Sequence, residues 1–322
     1  MNELLRYFSR ELPAINDFLE TEADQLNGLV KEVAKHIIGS GGKRIRPMLT
    51  LLFARAHGYE KDDYHAIACS LELLHSATLL HDDYLDDAEL RRGKEASHLK
   101  FGRTETILAG DALLALANEM GARYGNARLS WLLAKGIMET AVGEIEEIQF
   151  SKNPELDRER YMEIIIGKTA RLIECACRCG AALAGATPEE EDLAGEYGLN
   201  LGIAFQLVDD ALDYASPTSE TGKPEGGDLK EGKVTLPLIL LMEDSNEAES
   251  RELLDALKTT DLEEERFEAI LGRVKEGRYS EKTREEAAMY VEKAKRCLDG
   301  FTPGEEVEVL KQAADFVLTR TK

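Results

Sequence analysis

Apolar residues recur at intervals of three and four through almost the whole of this sequence, and the alternation of a strand nowhere persists beyond a few residues. A chain patterned this way buries its apolar side only by packing helices on helices. The periodicity predicts one or two amphipathic helices over residues 4–38, broken near Pro13. Further helices are predicted over 48–57, 62–87, 104–122, 127–150, 157–186 and 189–214, and again from Leu236 to the end. Between them lie a glycine-rich basic loop (39–47), a loop marked by Gly93 and Gly102, and a polar loop (215–233) rich in Gly, Lys and Asp. Leu, Ala and Ile alternate with Glu and Lys, and only eight prolines and one tryptophan interrupt them, a composition of helix formers. The predicted class is all-α.

Two stretches resemble each other. LLHDDYLDD (79–87) and LVDDALDY (207–214) both put D-D-x-x-D at the C-terminal end of a long apolar helix. Two related halves facing one cavity would account for this, so residues 1–322 are read as a single domain. A formal net charge of −22 argues against a nucleic-acid binder and against attraction to an anionic membrane surface. It also means that an anionic substrate needs a local basic cluster to capture it. Five cysteines, an odd number, with no secretory leader, argue for a reducing compartment. The cluster CACRC (175–179) lacks the C-x-x-C spacing of a zinc site and reads as small packing residues on a helix. The N-terminus has early acids and no long apolar stretch, and the run around 236–242 is too short to span a bilayer. The expected location is the cytoplasm.

In the first acidic cluster, Asp82 and Asp86 share one helix face, and Asp83 and Asp87 share another. Stacked like charges cost about 0.2–0.5 kcal/mol per exposed pair, and the negative end of the helix dipole adds to the cost. A cation would offset both. Oxygen ligands with no nearby cysteine fit a hard ion such as magnesium, which bridges a few carboxylates to substrate phosphates. Asp209, Asp210 and Asp213 repeat the geometry. A solvated acidic helix end explains one such cluster, but two, each closing a long apolar helix, point to metal.

Basic residues alternate with these acids. GSGGKRIRP (39–47) sets Lys43, Arg44 and Arg46 beside three glycines, whose backbone N–H groups can approach an anion. It lacks the spacing of a Walker loop. Arg91 and Arg92 follow the first acid cluster, where they either bind phosphate or simply pair with the aspartates. GKTAR (167–171) offers Lys168 and Thr169, and the loop after the second cluster carries Lys223, Asp228 and Lys233, its lysines placed to close over an anion.

Taken together, GGKRIRP (41–47), LLHSATLLHDDYLDDAELRRG (73–93), GKTA (167–170), FQLVDDALDY (205–214) and GKPEGGDLKEGKVTLP (222–237) resemble the trans-isoprenyl diphosphate synthases of the polyprenyl synthetase family, in the family's order. The resemblance implies an isoprenoid-synthase helical bundle around a deep central cavity, a homodimer and three magnesium ions. It implies head-to-tail condensation of an allylic diphosphate with isopentenyl diphosphate. On this resemblance Asp82, Asp83 and Asp86 bind two magnesium ions that bridge the allylic diphosphate. Asp209 binds the third, supported by Asp210 and Asp213. Arg91, Lys168 and Lys233 contact the allylic diphosphate, with Lys223 as a loop partner. Lys43, Arg46, His75 and Arg92 hold isopentenyl diphosphate without metal. Thr169 and Gln206 place oxygens near the developing carbocation. The released diphosphate is the base, so no protein general base is assigned.

The same resemblance makes the helix before Asp82 a wall of the product tunnel. One turn rises about 5.4 Å, close to one extended isoprene unit. Ala77 and Thr78 stand where short-product members often carry aromatics, so the expected product has four or more units, octaprenyl- or heptaprenyl-type or geranylgeranyl. Farnesyl diphosphate is the short-chain alternative. A class I terpene cyclase needs no GGKRIRP loop and usually mixes Asn, Ser or Thr, and Glu in its second motif. A non-catalytic partner subunit should lack metal aspartates, and a scaffold needs neither motif. A long prenyl product implies a passing membrane contact on release.

Overall fold

A computed structural model describes residues 2–150, 156–215, 225–257 and 263–320 of the chain. Among them almost every residue is helical or in a short connection, as the periodicity predicts. The chain divides into two compact units, each gathered from separate stretches: Met1–Ile137, Leu172–Gly195 and Phe301–Leu310 in the first, and Met138–Arg171, Glu196–Gly300 and Lys311–Lys322 in the second.

The first unit contains α1 (Asn2–Gln25), α2 (Gly28–Ile38), α3 (Ile45–Ala56), α4 (His65–Leu85), α5 (Ser97–Phe101) and α6 (Arg103–Arg123). Helix α4 is buried on nearly every side, with Ile67, Leu71, Leu74, Ala77 and Leu80 fully covered. A helix apolar all round must be central, and α4 packs most extensively on α6 and next on α3. Its one mid-helix acid, Glu72, is buried and needs a counter-charge. Arg44 supplies it, Nη1 donating to Glu72 at 2.8 Å and Nη2 to the Ile38 carbonyl at 2.6 Å. Arg44 adopts a left-handed backbone (φ 48°) to reach inward, which sets the path of the basic loop into α3.

Helix α1 runs unbroken through Pro13, where the pattern predicted a break; the break falls instead at Leu26 and Asn27. Pro13 and Ser9 are both exposed, so solvent can reach the turn where proline removes a backbone hydrogen bond. Residues 88–96 are more ordered than the loop predicted there. Leu90–Arg91 pairs antiparallel with Lys94–Glu95, and Arg92 (φ 52°) and Gly93 (φ 78°) form the two-residue turn with positive φ that suits strand twist.

Helix α7 (Ala127–Phe150) begins in the first unit and ends in the second. The second unit continues with α8 (Arg158–Ile165) and a π-helical turn (Ile166–Ala170), after which α9 (Arg171–Ala184) returns to the first unit. Helix α10 (Pro188–Ala215) carries the second acidic cluster, followed by the short α11 (Gly227–Glu231) inside the predicted polar loop. Helices α12 (Leu236–Asp244), α13 (Glu247–Leu257), α14 (Glu264–Glu276), α15 (Tyr279–Arg296) and α16 (Glu305–Leu318) complete the chain, with α12 packed on α15, α14 and α8. The region 157–186, predicted as one helix, thus contains a π turn. Close backbone approach accompanies it: a Cβ on Gly167 would lie 2.8 Å from Gly143 Cα, and one on Gly202 would lie 2.5 Å from Ala170 Cα.

All five cysteines are buried free thiols. Cys175, Cys177 and Cys179 pack along α9 in the first unit, consistent with the packing role read from their spacing.

Candidate active site

In the first unit, the end of α4 places its four aspartates differently. Asp82 is half-buried and Asp86 is exposed, one turn apart on a shared face. Asp83 points inward and is fully buried. Arg91 Nε donates to Asp83 Oδ1 at 2.7 Å, while Asp83 Oδ2 is buried without a hydrogen-bond donor. Asp87 turns away in a left-handed conformation and pairs with Arg103 at 3.1 Å.

The hairpin and the basic loop meet. Arg92 Nη1 donates to the Gly41 carbonyl, and Gly42 beside it holds a φ of 152° that residues with side chains rarely adopt. Lys94 holds the Gly39 carbonyl at 2.7 Å, and Lys43 is exposed on the loop. Arg46 has a buried Nε with no acceptor. Burial, then the neighbouring Arg92 charge, lowers its pKa to about 10 against the pull of Glu72. Burial, then Arg46, Arg92 and Arg91, pushes His75 well below the usual histidine range. Arg46, Arg91, Arg92 and a neutral His75 are therefore brought together. Glu72 is committed to Arg44 and Asp83 to Arg91, so the cluster has more positive than negative charge and suits a multiply charged anion.

In the second unit, a cavity of about 180 Å³ is lined by Lys168, Thr169, Gln206, Asp210, Asp228 and Lys233, with Phe150, Ile164, Ile165 and Val234 supplying apolar wall. The π turn puts Lys168 and Thr169 on this wall. Lys168 bridges Glu144 at 3.0 Å and Glu147. Lys233 pairs with Glu231 at 2.8 Å. Asp210 is buried and accepts from Tyr161 Oη at 2.5 Å and from Gln206 Nε2 at 2.8 Å. Thr169 Oγ1 donates to Gln206 Oε1 at 2.9 Å. Burial pushes Asp210 up to about 7 and Asp228 up to about 8, each raised further by neighbouring carboxylates. Asp213 accepts from the Asp228 backbone N–H at 3.0 Å. Asp209 forms an ion pair with Arg320 at 2.7 Å, and the Arg320 guanidinium lies 4.0 Å from the Phe205 ring centroid.

Among the described residues, no three His, Cys, Asp or Glu side chains converge as a protein-only metal cage. The donor chemistry nevertheless fits magnesium. Asp83 Oδ2 is an orphaned buried acceptor, and burial, with neighbouring carboxylates adding to it, raises Asp210 and Asp228 in a way that a nearby cation would offset. Magnesium needs only one or two carboxylates when phosphate and water complete its shell.

Sequence reasoning assigned no role to Tyr161, Glu144, Glu147, Asp228 or Arg320. Tyr161 stands seven residues before Lys168, a spacing that repeats one helix face and could have flagged it. Arg320 lies more than a hundred residues from Asp209, and nothing local marks it. Lys223 lies outside the described residues.

The polyprenyl synthetase family model matches residues 27–274. Octaprenyl diphosphate synthase of Escherichia coli (strain K12) is 42% identical over 222 residues, 68% of this chain and 69% of that one. Heptaprenyl diphosphate synthase component 2 of Geobacillus stearothermophilus is 34% identical over 317 residues, 98% of each chain. The crystal structure of a polyprenyl synthase from Caulobacter crescentus, complexed with calcium and isoprenyl diphosphate, superposes with a TM-score of 0.93 at 35% identity, covering 100% of this chain and 98% of that one.

Proposed function

The chain belongs to the polyprenyl synthetase family, and from that premise we propose how its residues perform the family's chemistry. It is a prenyltransferase, a trans-polyprenyl diphosphate synthase whose product has four or more isoprene units. We assign it a heptaprenyl- or octaprenyl-length product, built by adding isopentenyl diphosphate to an allylic diphosphate. Residues 1–322 act as one catalytic domain, in keeping with a family match that includes residues of both compact units.

The observation that carries this reading is the cluster of Arg46, Arg91, Arg92 and neutral His75, positive in excess and free of surplus carboxylate. A cyclase, which ionises a single diphosphate, has no use for it. Arg46, Arg92, His75 and Lys43 bind isopentenyl diphosphate. Arg91, Lys168 and Lys233 bind the allylic diphosphate, with Lys223 assisting. Asp82, Asp83 and Asp86 hold two magnesium ions, and Asp209, with Asp210 and Asp213 in support, holds a third. When bound, magnesium supplies Lewis-acid stabilisation of the leaving diphosphate. Lys168 and Lys233, already on the cavity wall, add preorganised positive charge where negative charge develops. Thr169 and Gln206 direct oxygen dipoles at the allylic cation, and Phe150, Ile164, Ile165 and Val234 keep water from it. Asp209 must leave Arg320, and Lys168 must loosen from Glu147, for this arrangement to form.

Met138, Val142 and Ile145 are exposed on the part of α7 that lies in the second unit, each 47–67% accessible. A second copy of this chain covers them in our reading. The heptaprenyl relative is named as a component, so an unlike subunit is the outcome that would replace the homodimer. No helix of the described residues is long and apolar enough to cross a membrane. The buried free thiols fit a reducing cytoplasm, with passing membrane contact when product leaves.

The test is product analysis. Pure protein is incubated with magnesium, labelled isopentenyl diphosphate and, in turn, dimethylallyl, geranyl, farnesyl and geranylgeranyl diphosphate. A ladder ending at seven or eight units supports the reading. A ladder stopping at three refutes it, and a hydrocarbon formed from the allylic substrate alone replaces it with a cyclase. Asp82→Ala should abolish turnover without loss of helicity, and light scattering of the isolated protein should give twice the monomer mass.

A further inference from the structure

One guanidinium in the first unit ties three helices together. Arg44 is buried, and each of its three side-chain nitrogens reaches a different element. Nε donates to Asn16 Oδ1 on α1 at 3.1 Å, and Nη1 to Glu72 Oε1 on α4 at 2.8 Å. Nη2 donates to the carbonyl of Ile38, the last residue of α2, at 2.6 Å. The backbone of Arg44 is left-handed, at φ 48° and ψ 41°, immediately before the first residue of α3. Residues with large side chains seldom adopt that conformation, and keep it only where their surroundings over-determine it. Three acceptors around one buried fork supply that constraint. The flanking cations are placed differently: Lys43 is exposed on the loop, and Arg46 stands in the first turn of α3. Arg46 Nε has no acceptor, although Glu72 attracts both Arg46 and Arg92. Arg44 holds Glu72 instead.

We propose that Arg44 is a positioning residue for isopentenyl diphosphate: anchored on Asn16, Ile38 and Glu72, it fixes the backbone between Lys43 and Arg46 so that both cations meet the diphosphate, and it keeps Glu72 from capturing Arg46. The proposal rests on the functional reading above, which gives Lys43 and Arg46 to that substrate. Arginine suits the task because its planar fork offers donors in several fixed directions, whereas lysine carries the same charge on one nitrogen. Asn16 lies on α1, before the stretch of chain that matches the family model, so that helix contributes to substrate affinity without touching substrate. The diphosphate of isopentenyl diphosphate does not leave in the reaction. Its contacts are therefore as strong in the ground state as in the transition state, and weakening them raises KM while kcat stands.

Arg44→Lys keeps a charge beside Glu72 and cannot reach all three acceptors. It should raise KM for isopentenyl diphosphate on the order of tenfold, with kcat and KM for the allylic diphosphate unchanged. Asn16→Ala removes one acceptor at a half-buried position and should raise the same KM about threefold, with a urea midpoint close to wild type. A merely structural role would lower the amount of active protein, so kcat would fall while both KM values stayed, and that result would overturn the proposal. Wild-type KM for isopentenyl diphosphate in both variants would overturn it as well. Should Arg44→Lys fail to fold, Asn16→Ala carries the test alone, and an unchanged KM there rejects the positioning role. A wild-type protein that forms no prenyl product overturns the functional reading and this proposal with it; an active wild type whose variants retain its KM overturns the proposal alone.

Discussion

Gly202 offers a test in which one methyl group should disable the enzyme. A Cβ there would lie 2.5 Å from Ala170 Cα and 2.8 Å from Ala170 Cβ. Carbon atoms in contact sit about 3.5–4.0 Å apart, so the shortfall is roughly 1 Å. The obstacle is backbone, which cannot swing aside as a side-chain tip can. Helix α10 and the π turn must separate by about that distance. Thr169 adjoins Ala170, and Gln206 is one turn along α10 from Gly202, so the wedge opens between two groups held at 2.9 Å. Overpacking costs about 1–3 kcal/mol, and a displacement of about 1 Å at a catalytic group costs on the order of 10²-fold in rate. Gly202→Ala should therefore stay folded, with a lowered urea midpoint and about a hundredfold lower incorporation of labelled isopentenyl diphosphate at saturation. Turnover within about twofold of wild type at unchanged stability would refute the claim that this contact positions the site. Gly272 on α14 is the control. A Cβ there meets nothing within 4 Å, so Gly272→Ala should gain about 1 kcal/mol from helix propensity and leave turnover unchanged.

Three further outcomes are expected. Arg44→Ala leaves Glu72 buried and unpaired and should cost about 3–5 kcal/mol in denaturant titration, whereas Arg46→Ala should leave stability nearly intact and raise KM for isopentenyl diphosphate alone. His75 has a folded-state pKa well below its unfolded value, so the unfolded chain binds the extra proton and stability falls as pH drops below about 6.5; His75→Gln should flatten that fall in urea midpoints measured between about pH 7 and pH 5. Ala77→Phe, at a fully buried position on α4, should shorten the product on chromatography, and an unchanged ladder would remove that helix from the product path.

The helical class was plain in the sequence because burial on a helix imposes its own spacing, and α4, α6 and α10 lie within three residues of where that spacing puts them. The family resemblance also named Lys168, Thr169, Gln206 and Lys233, which line the cavity. The parts that were not legible arise from tertiary contact. Pro13 survives inside a helix because its face meets water. The π turn has no marker in periodicity, since an inserted residue shifts phase only locally, and what accompanies it is contact between Gly143 and Gly167, distant in sequence. Arg44 looks like a phosphate ligand when read along the loop, yet in the fold it neutralises Glu72. Asp83 and Asp210 look equivalent to their neighbours in the motifs, and only burial separates them from Asp82 and Asp209.

The cysteines give the protein a built-in clock for its own opening. Four of them, Cys69, Cys175, Cys177 and Cys179, lie in the first unit, and Cys297 alone lies in the second. Burial holds the Cys69 thiol well above its ordinary range, and burial raises Cys297 to about 11, so these thiols are protonated as well as hidden. An alkylating reagent can therefore reach them only when the surrounding helices part. Mass spectrometry of the labelled chain would time the two units separately, one adduct marking the second and four marking the first. Whether substrate tightens both units or only one then becomes a matter of comparing two rates in a single tube.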